Sequence, residues 1–338
     1  MADLQKPYAL FLGDVPDALA AKTATGIVDW RPDWCVGQVR LKGCKADTGL
    51  PDMNITDAAQ KGAKTLVVGA VNAGGVLPDH WIASIVEAIE AGMDVATGLH
   101  ARMQDYPAIK AAADTHGAAL HNVRHVEQKL DTGKGTKRTG MRVLAVGTDC
   151  SVGKKYTALA LEKGMSERGL KASFRATGQT GVLISGRGLA IDSVVADFIS
   201  GAAEWISPAN DADHWDVIEG QGSLFHPSFA GVSLGLLHGS QPDAFIVCHE
   251  PTRVTMRGVT TPLPSIQEVI DMNISMGKLT NPAIACTGIA INTAALGTAD
   301  ARDLLEKTSA EYNLPACDPV RFGVDGLVDR LAAMTPTL

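Results

Sequence analysis

A strand, a glycine-rich turn and a helix follow one another in Arg142–Thr157, RVLAVGTDCSVGKKYT, and no other stretch narrows the fold as far. An apolar run ends in Gly147 and a helix opens at Lys154, so the backbone amides between them point inward with the positive end of the helix dipole behind them. Such a turn is an anion cradle, and Lys154 stands where a phosphate is met directly. The standard phosphate loop reads GxxxxGK[ST]; here five residues separate Gly147 from Gly153, one more than in that pattern. The position after Lys154 departs further. In nucleotide hydrolases a hydroxyl there ligates Mg²⁺, whereas this chain has Lys155. A second ammonium neutralises a phosphate but cannot hold a cation, and Thr157 lies too far along to substitute. Gly147, Thr148, Asp149, Cys150, Ser151, Val152, Gly153, Lys154, Lys155, Tyr156 and Thr157 therefore read as a cofactor loop that expects no metal. Coenzyme A, with a pyrophosphate and a 3′-phosphate, suits it better than ATP handled as a Mg²⁺ complex. The plain alternative is a degenerate loop that only packs its helix.

Around this loop, short apolar runs alternate with longer amphipathic ones, the pattern of parallel sheets covered on both faces. Strands are expected at Tyr8–Leu12, Thr65–Val68, Asp94–Ala96 and near Ala119–Val123, then at Arg142–Val146, Lys171–Ala176, Asp216–Glu219, Ala244–Cys248 and Ile284–Ile291. Helical spacing appears in Asp79–Ala91, Tyr106–His116, Lys154–Arg168, Asp192–Ala203, Ser265–Met276 and Ala299–Tyr312. The polar stretch Gln128–Gly140, QKLDTGKGTKRTG, is the best linker candidate. A chain of 338 residues, 46% hydrophobic, is long enough for two cores. The expectation is α/β throughout: two three-layer α/β/α domains, 1–135 and 136–338. A net charge of -7 gives no reason to expect nucleic acid or an acidic membrane as partner. The six cysteines are scattered without a CxxC pair, and Met1–Pro7 lacks a basic-then-apolar leader. Together these lead us to expect a cytoplasmic protein with reduced thiols. A homo-oligomer is compatible with the sequence.

Functional groups of open α/β sheets gather at the carboxyl ends of strands. Arg175 and Gln179 flank one such end, in RATGQTG. Glu219, Gln221, Gly222, Ser223 and His226 follow another, in EGQGSLFHP, where an acid closing an apolar strand is costly without a task. His249 and Glu250 follow a third, Asn292 and Thr293 a fourth. Glu219 and His226 are the candidate general bases; Arg175, Gln179, Gln221, Gly222, Ser223 and Asn292 are candidate substrate contacts, with Arg253 and Arg257 as further partners for carboxylates. The competing readings are a turn at Asn292–Thr293, a loop cap at Glu219 and an N-cap at Asp192. His121 and His125 have ligand spacing but no third donor nearby. Cys150 has no histidine adjacent in sequence to activate it and reads as filler. In the first half, Asn72, Gly74, Gly75, His100 and Arg102 stand in loops after expected strands, with no stronger signal.

The loop is similar to the GTDTxVGKT loop of dethiobiotin synthetase, which shares the longer spacing. The chain as a whole resembles a family filed as a domain of unknown function, on Gly147–Thr157, Arg175–Gly181 (RATGQTG), Asp197–Glu204 (DFISGAAE), Glu219–Pro227 (EGQGSLFHP) and Asp243–Pro251 (DAFIVCHEP). That resemblance implies a Rossmann-like N-terminal half and a P-loop NTPase-like C-terminal half. It also implies an activity found among the family's members, transfer of the acetyl group of acetyl-CoA to the amine of D-glutamate, with that amino acid as small-molecule substrate. The other resemblance implies an ATP-dependent ligase that activates a carboxylate, against which the missing hydroxyl after Lys154 counts. A third reading is a non-catalytic nucleotide sensor, in which Glu219 and His226 would be dispensable.

Overall fold

The computed structural model describes residues 4–70, 75–126 and 128–336. Asn72 and Gly74 lie outside them. The chain forms two compact units that are not consecutive halves: one comprises 1–128 with 178–193, the other 129–177 with 194–338.

In the first unit, β1 (Tyr8–Gly13), β2 (Cys35–Arg40), β3 (Thr65–Val68), β4 (Asp94–Thr97) and β5 (Leu120–Asn122) form a sheet in the order β2-β1-β3-β4-β5, all parallel. Every residue of β1 and β3 is buried, as continuous apolar strands in a doubly covered sheet should be. Helices α1 (Lys22–Trp30), α2 (Ile55–Gln60), α3 (Ile82–Glu90) and α4 (Pro107–His116) connect the strands. Pro107 at the first helical position and Gly117 in left-handed conformation just beyond the end bound α4.

The second unit is built on β6 (Met141–Gly147), followed by α5 (Lys154–Glu167) and β7 (Ala172–Arg175). The chain then gives α6 (Gln179–Ser185) to the first unit. It continues with α7 (Ile199–Ile206), β8 (Trp215–Ile218), α8 (Ala230–Ser240), β9 (Ala244–His249), α9 (Ile266–Gly277), β10 (Ala285–Ile291), α10 (Thr298–Tyr312), β11 (Ala316–Cys317) and α11 (Asp325–Ala332). The strand order is β11-β10-β9-β6-β8-β7, again all parallel. The chain moves to one side of β6 for β7 and β8, then crosses to the other for β9. The phosphate loop therefore leaves the middle of the sheet, beside the strand where the order reverses. A Ser265–Glu268 capping box, with reciprocal side-chain and backbone hydrogen bonds, starts α9. Among the described residues no helix is long and apolar enough to cross a membrane.

Two expectations are corrected. The stretch read as a linker is docked on the second unit: the amides of Lys134 and Gly135 both donate to Glu204 at 2.8 Å. Arg138 donates to the carbonyls of Ser207 and Gly239 at 2.8 Å, and burial pushes its pKa down to about 10. Its polar composition serves the protein's own carbonyls rather than water. Nor does one helix run over Asp192–Ala203. Short 3-10 turns precede α7, which begins at Ile199, and Asp192 pairs instead with Arg124 at 2.9 Å.

Candidate active site

The loop between β6 and α5 is pinned at both ends. Thr148 is buried, and its amide donates to the Cys248 carbonyl of β9 at 3.0 Å. Ser151 at φ 55° and Gly153 at φ 105° turn the backbone left-handed before the helix starts. A residue with a Cβ tolerates such a conformation only when its surroundings impose it. The Lys154 side chain is buried and folds back on the loop, with Nζ donating to the Asp149 carbonyl at 2.6 Å. Burial pushes its pKa down. The ammonium is thus held at the loop, on an acceptor that a ligand oxygen can replace. Lys155 leaves the helix beside it, with Nζ 5.2 Å from the Tyr156 ring centre. Thr157 is buried against Cys248, whose Sγ donates to its Oγ1 at 3.4 Å; its hydroxyl faces the sheet.

Asp149 is a fully buried carboxylate inside an anion-binding turn, and its partners explain it. Oδ1 accepts the Cys150 amide at 2.6 Å; Oδ2 accepts Arg253 Nη1 at 2.6 Å and the Arg257 amide at 2.7 Å. The carboxylate latches residues 250–262, the strap after β9, onto the loop. Arg253 also donates to the Cys150 carbonyl at 2.7 Å, and Arg257 Nη1 to Ser151 Oγ at 2.6 Å. Burial pushes the Asp149 carboxyl upward, but the Arg253, Arg257 and Cys150 donors outweigh it and hold the pKa below its ordinary 3.8. A depressed folded-state pKa contributes stability above the unfolded value, and that stability is lost as pH falls through the folded one. Asp149→Asn should therefore cost about 1.5–3 kcal/mol at neutral pH. The difference from the parent protein should shrink in acid below pH 3.8. Thermal unfolding of both proteins across pH measures it, and a pH-independent difference would exclude the latch.

Opposite the strap, Glu219 follows β8. Its side chain is buried, with Oε2 accepting the Thr177 amide at 3.0 Å, while Thr177 Oγ1 donates to the Glu219 carbonyl at 2.7 Å. Gln221 Nε2 donates to the same threonine hydroxyl at 2.9 Å. Gly220 fits between Glu219 and Gln221 only because it lacks a side chain: a Cβ would stand 1.6 Å from the Ala145 carbonyl oxygen and 3.0 Å from Lys154 Cδ. That close approach places the Glu219 backbone against the root of the phosphate loop. Gly222, at φ 39°, and the buried Ser223 complete the turn, with Ser223 Oγ accepting the Phe225 amide at 3.3 Å. His249, at the end of β9, meets Thr148 Oγ1 through Nδ1 at 3.2 Å, and burial pushes its pKa down.

Other sequence candidates lie elsewhere or are already occupied. Arg175 is not free to bind a substrate carboxylate: its guanidinium contacts Asp216, with Nε donating at 2.7 Å. Asp216 is a buried acid near the start of β8 that needs the counter-charge. Gln179 begins α6 in the first unit. Asn292 forms a turn, its Oδ1 accepting the Ala294 amide at 3.2 Å, and Thr293 is held by Asp318 at 2.6 Å. The buried His226 has both ring nitrogens engaged: the Ser228 amide donates to Nδ1 at 3.1 Å, so Nε2 carries the proton shared with the Arg257 carbonyl at 3.0 Å. It props the strap and has no vacant nitrogen for a substrate proton. Donor atoms of Asp149, Cys150 and His226 lie within 4.8 Å of one another, a spacing compatible with a metal. Yet the carboxylate and both ring nitrogens already have protein partners, so the set fits a satisfied hydrogen-bond cluster. The latch joining Asp149 to Arg253 and Arg257 escaped the sequence reading because 104 and 108 residues separate the partners; the two arginines were visible only as candidate carboxylate partners.

Known proteins share this arrangement. Residues 129–328 match the family described as "Domain of unknown function (DUF1611_C) P-loop domain", and residues 39–126 match "Domain of unknown function (DUF1611_N) Rossmann-like domain". The chain is 50% identical over 332 residues to a D-glutamate N-acetyltransferase of Tritonibacter scottomollicae, covering 98% of this chain and 100% of that one. It is 50% identical over 329 residues to a D-glutamate N-acetyltransferase of a Pseudoalteromonas species, covering 97% and 99%. The crystal structure of a DUF1611 family protein from Anabaena variabilis superposes with a TM-score of 0.81 at 30% identity, over 97% of this chain and 99% of that one.

Proposed function

The chain belongs to the DUF1611 family, and we propose that it is an N-acetyltransferase moving the acetyl group of acetyl-CoA to the amino group of D-glutamate in the cytoplasm. The observation that carries this reading is the 50% identity, over nearly the full length of both partners, to two proteins of that name. The phosphate loop supports the choice of donor. It offers amides, a buried ammonium and a second lysine, with no hydroxyl beside Lys154 for a metal. The acetyl-CoA phosphates would take the loop amides and the donors of Lys154 and Lys155.

The acceptor arrives as an ammonium and must lose a proton before its nitrogen can attack. Glu219 is the base in this reading, a carboxylate held in place by the Thr177 amide. The freed amine forms the new C–N bond at the thioester carbonyl, and the C–S bond breaks to release CoA thiol. Charge building on the carbonyl oxygen needs a donor, for which the Gly222 and Ser223 amides are candidates. Gln221 lies beside Glu219 on the same threonine and completes the wall.

A thioester is already activated, so the reaction needs neither ATP nor metal. Incubation with acetyl-CoA and D-glutamate should release CoA thiol in step with N-acetyl product. Excess EDTA should leave the rate unchanged, and ATP should be neither stimulatory nor consumed. L-glutamate and an acceptor-free sample serve as comparisons. Loss of activity with EDTA, or ADP released when glutamate is present, would reject acyl transfer in favour of carboxylate activation by ATP.

A further inference from the structure

Arg253 and Arg257 both come off the strap onto the phosphate loop, but they are used differently. Arg253 is compensated by two carboxylates, Asp149 at 2.6 Å and Glu250 at 3.5 Å. Arg257 is exposed. Among the described residues its guanidinium makes one side-chain hydrogen bond, to Ser151 Oγ, and pairs with no carboxylate. Its backbone is nonetheless fixed. Its amide is on Asp149, the preceding Met256 is buried, and the strap closes as a short antiparallel bridge between Thr255 and Pro262. The Met256 amide donates to the Thr261 carbonyl at 2.8 Å, and the Leu263 amide to the Val254 carbonyl at 2.9 Å. The result is a cation on a rigid root, at the rim of an anion cradle, with most of its five N–H donors uncommitted.

The cradle amides and Lys154 suffice for one phosphate group. A donor that carries a second, separate phosphate needs a second cation outside the loop, and a planar guanidinium suits the oxygens of a phosphomonoester dianion. We infer that Arg257 is the receptor for such a phosphomonoester, the 3′-phosphate of CoA, which makes the strap a second phosphate-binding element beside the loop. This rests on the acyl-CoA reading above. Arg253 is then a positioning residue, acting through Asp149 on the shape of the loop.

Calorimetry with CoA and 3′-dephospho-CoA separates the roles. The parent protein should bind CoA about 10- to 100-fold more tightly than 3′-dephospho-CoA. Arg257→Ala should erase that preference while leaving 3′-dephospho-CoA affinity unchanged, because the Asp149 latch uses the Arg257 backbone amide and survives truncation. Arg257→Lys should keep part of the preference. Arg253→Ala should weaken both ligands alike. Equal affinity of the parent protein for the two ligands would overturn the inference, as would an Arg257→Ala variant that weakens both by the same factor. Should the parent protein bind neither, the acyl-CoA reading itself fails, a result distinct from binding without discrimination.

Discussion

Glu219→Gln should lower turnover at saturating acetyl-CoA and D-glutamate by about 10²–10⁴-fold while leaving CoA affinity nearly unchanged. The amide keeps the size of the side chain and can still accept the Thr177 amide hydrogen bond, which is 3.0 Å long in the parent protein. What it loses is the ability to take a proton at neutral pH. The loss should therefore appear in kcat and not in the fold, and circular dichroism and CoA calorimetry on the same preparation verify that separation. The paired variant, His226→Asn, should behave in the opposite way. Its ring ties the Ser228 amide to the Arg257 carbonyl, so its removal should lower the thermal unfolding midpoint through loss of buried hydrogen bonds, each worth about 1 kcal/mol. A Glu219→Gln protein that turns over at the parental rate would remove Glu219 from the chemistry and shift attention to His249, whose pKa burial pushes down.

Gly220→Ala should be the most disruptive single methyl group in the second unit. The added carbon would stand 1.6 Å from the Ala145 carbonyl oxygen, a main-chain atom of the central strand that cannot rotate away. Overpacking against a side chain costs roughly 1–3 kcal/mol; against rigid backbone at the sheet centre the upper end, about 3 kcal/mol, is expected. The strain also falls on the site, since relief requires the turn after β8 to lift from β6, carrying Glu219 away from Lys154. The expected outcome is a lower unfolding midpoint together with weaker CoA binding in whatever remains folded. Parental stability and affinity in Gly220→Ala would mean that the close approach of this turn to the phosphate loop is not required.

The locally encoded parts of the protein were legible in the sequence. The strand, turn and helix of residues 141–167 announce themselves through an apolar run, glycines and a lysine at fixed spacing, and the Ser265–Glu268 cap lies within one turn of α9. Elements whose local composition argues against their structure were missed. Helix α8 contains Gly231, Gly235 and Gly239, which read as breakers. Two of them are packing points, since a Cβ on Gly239 would stand 2.1 Å from the Ser200 carbonyl oxygen and one on Gly235 2.5 Å from Ile199 Cγ2. Close approach to α7 outweighs helix propensity, and no window along the chain reveals it. The short strand β2, with Gly37 and Gln38 inside it, is of the same kind.

Sequence by itself determined that an anion cradle stands at the end of a parallel strand, that it carries two lysines and no metal-binding hydroxyl, and that an acid ends a nearby apolar strand. Each of these depends on neighbours within about one turn or one strand, where periodicity and residue type carry the information. The tertiary structure alone decided which side chains serve that cradle. Setting β9 beside β6 and β8 on its other flank brings Arg253 and Arg257 onto Asp149, commits Arg175 to Asp216 and fills both nitrogens of His226. A buried charge or ring nitrogen takes the partner the fold delivers, and partners lying 104 and 108 residues away leave no trace in the local pattern. That is why the loop could be read from the sequence, and its strap could not.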